Sequence, residues 1–140
     1  MLRISKLTDY GTVILARLAA VPERRLTAAQ LASLTHLAAP TVSKLLKQLH
    51  RHGLVESTRG LHGGYRLARS ADRISAAHIL DALEGPVALT ECAQQPNQCG
   101  IEHSCGVGRA WQRVNTAIRR TLLANRRLCR TTTARTWPRR

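Results

Sequence analysis

The sequence predicts a mainly α-helical chain carrying one small β-hairpin, and three observations lead there. Apolar residues recur at helical spacing in several separate stretches. A single glycine-rich segment, LVESTRGLHGGYRLA, alternates in the manner of two short strands around a turn. Aromatics make up only 3% of the chain and Phe is absent, so the core must be built from Leu, Ala, Val and Ile, a composition that suits helices. At 140 residues the chain is one domain of ordinary size, long enough to bury a core.

The first helix is predicted over residues 8–20, TDYGTVILARLAA, with Thr8 as its cap and an apolar face through Val13, Ile14 and Leu18. After the polar turn VPERR, Thr27 and Gln30 stand at capping-box spacing and start a short second helix that ends near Ser33 to Leu37. A third helix opens at APTVSKLLKQLHRHG, with Pro40 in its first turn and Gly53 just past its end. In it Val42, Leu45, Leu46 and Leu49 share one buried face, which leaves Thr41, Ser43, Lys44, Lys47 and Gln48 to point outward. The hairpin follows at once. Beyond it, Ser75 caps a further helix in which Ile79, Leu80 and Leu83 pack inward until Gly85 and Pro86 stop it. From about Val107 a longer helix carries Trp111, Val114, Ile118 and Leu122 at spacings of three and four, a stripe open to two readings: internal packing or a dimer seam.

Two short helices with a tight connection, the second polar and cationic on its free face, followed by a basic hairpin, make a winged helix-turn-helix. In such a module the second helix enters the major groove. Thr41, Ser43 and Lys44 stand near that helix's N-terminus, where side chains reach base edges and the helix dipole favours phosphate. Arg59 in the wing can grip phosphate or enter a minor groove, His62 lies in the same turn, and Gly60, Gly63 and Gly64 let the backbone turn tightly and approach a duplex. The formal charge of +14 agrees with a polyanionic partner. Six of the 22 basic residues fall in the last sixteen positions, and the remaining sixteen still outnumber all eight acids. No stretch has the apolar length of a membrane span, and MLRISKLTDYG lacks the apolar run of a secretion signal, so a cytoplasmic protein without a membrane partner is expected. His36, His50, His52 and His78, on helices or at their ends, are expected to be solvated or to face phosphate.

The segment CAQQPNQCGIEHSC, residues 92–105, concentrates three of the four cysteines with gaps of six and five residues. Thiolates are soft ligands that suit iron-sulfur clusters and zinc, and a loop holding Pro96, Asn97 and Gly100 can wrap a compact inorganic core. Structural zinc sites use tighter pairs, so the gaps favour a cluster, with zinc as the alternative. The chain has no C-x-x-C pair and no paired acid-base constellation, which argues against a thiol redox enzyme and for no enzyme at all.

Four stretches, LRISKLTDYG, PTVSKLLKQLHRHGLVESTRGLHGGYRLAR, ISAAHILDALEGPVALTEC and CGIEHSCGVGRAWQRVNTAI, together resemble the Rrf family of bacterial transcription regulators, which includes IscR and NsrR, and above all its regulators of the SUF iron-sulfur assembly operon. The resemblance spans residues 1–124. It implies a homodimeric regulator, expected to be a repressor, that binds double-stranded DNA at an operator of two half-sites, with the long C-terminal helix crossing to the partner. It implies further that Cys92, Cys99 and Cys105 hold an iron-sulfur cluster, 2Fe-2S in preference to 4Fe-4S, whose state sets DNA affinity; relatives sense nitric oxide or redox state. The IscR branch completes its site with a histidine at the position occupied here by Gly108. Either a ligand comes from elsewhere, or the cluster keeps an open iron site, or none is bound; His103 and Glu102, inside the loop, are candidates for the missing ligand, as is Asp9, since the NsrR branch carries an Asp at that place which reaches the other subunit's cluster.

The expected organisation is therefore a winged helix-turn-helix domain over 1–85, a cysteine-rich cluster loop over 86–106, a dimerisation helix over 107–124 and a basic, disordered tail over 125–140. Cys129, apart from the other three in that tail, is not expected to be a ligand, and the tail itself would add nonspecific phosphate contacts.

Overall fold

The computed structural model describes residues 4–94, 99–127 and 129, with only the backbone of Cys92, Gln94 and Glu102. In chain order the elements are α1 (Lys6–Ala19), α2 (Ala28–Thr35), α3 (Ala39–Arg51), β1 (Val55–Thr58), β2 (Gly64–Leu67), a 3-10 turn (Ala71–Arg73), α4 (Ala76–Leu83), a single turn α5 (Glu91–Gln94), a second 3-10 turn (Glu102–Ser104) and α6 (Gly108–Ala124).

The predicted stripes become one core. Ile14, Leu15 and Leu18 of α1, Leu31 of α2, the four apolar residues of α3, Leu54, Val55, Ile74 and Ile79 are all fully buried against one another. α4 packs on both α1 and α3 and closes the core from below. β1 and β2 pair antiparallel with Val55 opposite Leu67 and Thr58 opposite Gly64. Leu26 joins them as a third extended piece, exchanging two backbone hydrogen bonds with Tyr65 at 2.9 and 2.8 Å. This contact and the tight wing turn explain the paired glycines. A Cβ at Gly64, where φ is +141°, would stand 2.9 Å from the Leu26 carbonyl oxygen, and one at Gly63 would stand 2.4 Å from that of Thr58.

Three helix starts are capped by local side chains. Thr27 and Gln30 bond each other's backbone at 3.2 and 2.9 Å, and Ser75 and His78 do the same at 3.3 and 3.2 Å. Such caps each contribute about 1 kcal/mol. His78 is thus a capping residue, a structural use that differs from the solvated or phosphate-facing role expected of it. The first helix corrects the sequence reading: it begins at Lys6 with Ser5 as cap, whose hydroxyl accepts from the Thr8 amide at 3.3 Å. Thr8 itself is buried and its hydroxyl donates to Glu84, whose same carboxylate oxygen accepts from the Ser5 amide at 3.0 Å. The Thr8 hydrogen bond, helped by Ser5, holds the Glu84 carboxyl below the usual carboxylate range.

α6 differs from every other long helix: none of its residues is buried. It is fastened to α4 by a forked ion pair in which both terminal nitrogens of Arg119 donate to the Asp81 carboxylate at 2.9 and 2.8 Å. Beyond α6 the chain turns back. The Asn125 carbonyl accepts from the Ala76 amide at 2.9 Å, satisfying a free donor at the start of α4, and Cys129 is buried in the core. Cys129 packs as a small apolar residue, its thiol pushed up to about 11 by burial. Positions 128 and 130–140 lie outside the described residues.

Candidate functional site

Two surfaces carry the chemistry. The first is made by α3 and the wing. Because Val42, Leu45, Leu46 and Leu49 are consumed by the core, the opposite side of α3 is turned to solvent: Lys44 and Lys47 are exposed, with Thr41 and Ser43 half-buried beside them near the N-terminus. Gln48 departs from the expected outward set. Its position flanks the apolar stripe, so the side chain is half-buried, and its Oε1 is enclosed with no hydrogen-bond partner among the described residues.

The wing turn projects Arg59, Gly60 and His62 into solvent, and Leu61 at its tip is 96% exposed. Its base is braced by charge. Glu56 and Arg66 are cross-strand partners and form an ion pair, and Arg25 donates to the same Glu56 oxygen at 3.1 Å. The Arg66 hydrogen bond, then the charge of Arg66 and the Arg25 contacts, keep the Glu56 carboxyl below its ordinary range. Sequence reading missed this triad. Its signal was present in the equal distances of Glu56 and Arg66 from the glycine turn, which place them opposite one another. The remaining histidines at the end of α3 bond backbone, His50 Nδ1 to the Val55 carbonyl at 3.1 Å and His52 Nδ1 to that of Gln48 at 3.0 Å, while His36 ends α2 in the left-handed conformation at φ 56°.

The second surface is the cysteine segment. Cys92 stands on the α5 turn, which packs on α6, but its side chain lies outside the described residues, as do residues 95–98 with Pro96 and Asn97 and the side chain of Glu102. Cys99 and Cys105 are free, half-buried thiols. Position 108 faces Cys105: a Cβ there would stand 3.8 Å from the Cys105 Sγ, and glycine leaves that space open. His103 is exposed. Asp9 is exposed on the first turn of α1, with no side-chain hydrogen bond or ion pair among the described residues. No three His, Cys, Asp or Glu side chains converge among the described residues. The donors nonetheless fit an iron-sulfur group in kind: two reduced thiols, a third cysteine in the same segment, and open space beside one of them.

The α6 stripe continues from this segment. Trp111, Val114 and Leu123 are 45%, 44% and 38% exposed, with Ile118 and Leu122 half-buried between them, so the stripe is an apolar face that the described residues leave partly uncovered.

A family model described as "Rrf2: Iron-dependent Transcriptional regulator" matches residues 4–126. The chain belongs to the Rrf2 family. Members of this family are transcription regulators that bind DNA as dimers, and not enzymes. Protein aau3 of Rhizobium meliloti is 32% identical over 124 residues, 88% of this chain and 76% of that protein. Among solved structures, CymR, the global cysteine regulator of B. subtilis, is 29% identical with a TM-score of 0.67, covering 89% of this chain and 92% of its own. IscR of T. potens is 27% identical with a TM-score of 0.62, covering 89% and 82%. These likenesses agree with the winged-helix architecture of α1 to α4 and the hairpin. No helix among the described residues is long and apolar enough to cross a membrane.

Proposed function

We propose that this Rrf2-family protein is a DNA-binding repressor, dimeric through α6, whose operator affinity is set by an iron-sulfur cluster held at Cys92, Cys99 and Cys105, and that it regulates iron-sulfur assembly genes of the SUF type. The observation that carries the reading is the sequence of surfaces along one stretch of chain: free thiols at Cys99 and Cys105, then at once the uncovered apolar face of α6, itself fastened through Arg119 and Asp81 to the domain that holds α3 and the wing. Thr41, Ser43, Lys44 and Lys47 would meet base edges and phosphates in the major groove, with Arg59, Gly60, His62, Gly63 and Gly64 at the flanking minor groove. Gln48 has the weakest claim among these, since its carbonyl oxygen is enclosed.

A bound cluster would supply a redox-active, oxidant-sensitive centre, with 2Fe-2S preferred. Gly108 cannot complete the site, which leaves a ligand from another group or an open iron site; as the ligand, Asp9 of the partner subunit is favoured for its exposed and unpaired carboxylate, ahead of His103 and Glu102. Anaerobic purification followed by absorption spectroscopy and iron, sulfide and zinc analysis tests the cofactor. A colourless protein with stoichiometric zinc would end the cluster reading. Asp9→Ala should change the cluster's spectrum and lifetime; unchanged values would remove Asp9 from the ligand set. Footprinting of the protein's own upstream region, with and without the cluster, tests the regulation.

A second reading is a regulator that works without a cluster and responds to thiol or nitric oxide chemistry. It is favoured by the likeness to a cysteine regulator and by the glycine at position 108. Metal-free protein whose operator binding changes on thiol modification alone would select it.

A further inference from the structure

Away from both surfaces, three arginines from distant parts of the chain meet. Arg69 follows β2, Arg73 lies on the 3-10 turn before α4, and Arg126 follows α6; together they line an open cleft of about 420 Å³. Backbone contacts place each of them. Arg69 is half-buried and spends one terminal nitrogen on the Gly53 carbonyl at 3.1 Å, which fixes the plane of its guanidinium and leaves its other donors free to point elsewhere. The Arg73 amide closes its turn onto the Ser70 carbonyl at 2.9 Å. Arg126 is placed by the neighbouring Asn125, whose carbonyl is bonded to the Ala76 amide.

The charge of the cleft is uncompensated among the described residues. The ion pairs there are those of Arg25 and Arg66 with Glu56 and of Arg119 with Asp81, so none of the three guanidiniums has a carboxylate partner within that set. Asp72, on the same turn as Arg73, also makes an interaction. Guanidiniums drawn into one concavity repel each other unless an anion joins them, and their flat forks of N–H donors match the tetrahedral oxygens of a phosphoryl group. We propose that this cleft is a binding site for a phosphate-type oxyanion. Its position separates it from base reading, for Gly53 and Arg69 stand at the C-terminal end of α3 and the base of the wing, opposite the α3 N-terminus and the wing turn. An anion here ties the segment after α6 to the base of the wing, and so ties the dimer-forming helix to the DNA-reading head.

The oxyanion can be free in solution or belong to a DNA backbone, and one pair of measurements separates these. The full-length protein and its Arg73→Gln/Arg126→Gln variant are titrated calorimetrically with inorganic phosphate and with pyrophosphate, at constant ionic strength against chloride. Both side chains are exposed, and circular dichroism checks that the variant folds as the parent does. Saturable binding to the parent, weakened at least tenfold in the variant, establishes a site for free anions. In the second arm the salt dependence of duplex binding is compared; a slope shallower by about 0.9 for each DNA phosphate that the variant no longer neutralises assigns the cleft to the DNA backbone. The absence of both saturable anion binding and any change in slope overturns the proposal. A third variant, Arg73→Lys/Arg126→Lys, should recover part of whichever response is found, because charge returns without the fork.

Discussion

α3 and α6 are both amphipathic, yet they end differently. Val42, Leu45, Leu46 and Leu49 of α3 are fully buried where it packs on α1, α2, α4 and β1, whereas none of the residues of α6 is buried. The reason lies in what each helix has to pack against. α3 is surrounded by elements adjacent in sequence, each bringing its own Leu or Ile stripe; α6 arrives after the cysteine segment, when those stripes are spent, and touches the domain mainly through α4 and α5. A helix of this kind draws most of its stability from tertiary or quaternary burial, so α3 reports on the fold of one chain and α6, if it forms the proposed dimer, on the assembly of two.

Substitutions can break that contrast at graded strength. Leu46→Ala, at a fully buried position of α3, should cost about 2–5 kcal/mol and lower the thermal midpoint in proportion. A cost below about 1 kcal/mol, measured by denaturant unfolding, would show that the α3 stripe is less tightly packed than its burial indicates. Trp111→Asp should leave the helical signal of the monomer near its parent value while weakening dimerisation by roughly 2 kcal/mol, about thirtyfold. Sedimentation equilibrium reads this directly, and an unchanged dimer would move the seam elsewhere on the molecule. Thr27→Ala, which removes one half of the α2 capping box, should cost about 1 kcal/mol with no effect on dimer strength.

The smallest effect concerns Glu84, which holds the start of α1 and has a lowered pKa. A depressed carboxyl contributes stability that is present above its ordinary value of 4.5 and is lost as pH falls through the lower folded value. The parent should therefore lose its advantage over Glu84→Gln between about pH 5 and the acid limit of the fold. Equal acid sensitivity of the two proteins would mean that the Thr8 and Ser5 contacts are replaced by water.

How much of this is legible in the sequence follows the range of each interaction. The capping box of Thr27, the α3 stripe and the glycine wing are signals written within a few residues, and each element stands where the sequence puts it. The start of α1 differs because Thr8 has the chemistry of a cap, while its actual partner, Glu84, lies 76 residues away. Cys129 is hidden for a similar reason: the arginine-rich stretch around it has no apolar period, and only contact with the core reveals the thiol as a packing residue. Of the candidate site, the three clustered cysteines and the cationic face of α3 are visible as local patterns. The proposed fourth ligand is not, because a residue reaching in from a partner subunit would leave no mark on spacing.

The hydrogen bond between Asn125 and Ala76, with the fork from Arg119 to Asp81, gives the chain a further property. Residues 76–125 leave α4, pass through the cysteine segment and α6, and are stitched back to the helix they left, so the cysteines sit on a closed hoop. A hoop fastened at its root cannot relieve a local distortion by letting α6 drift away. Tightening or slackening at Cys99 and Cys105 would instead be delivered to α4, which leans on both α1 and α3.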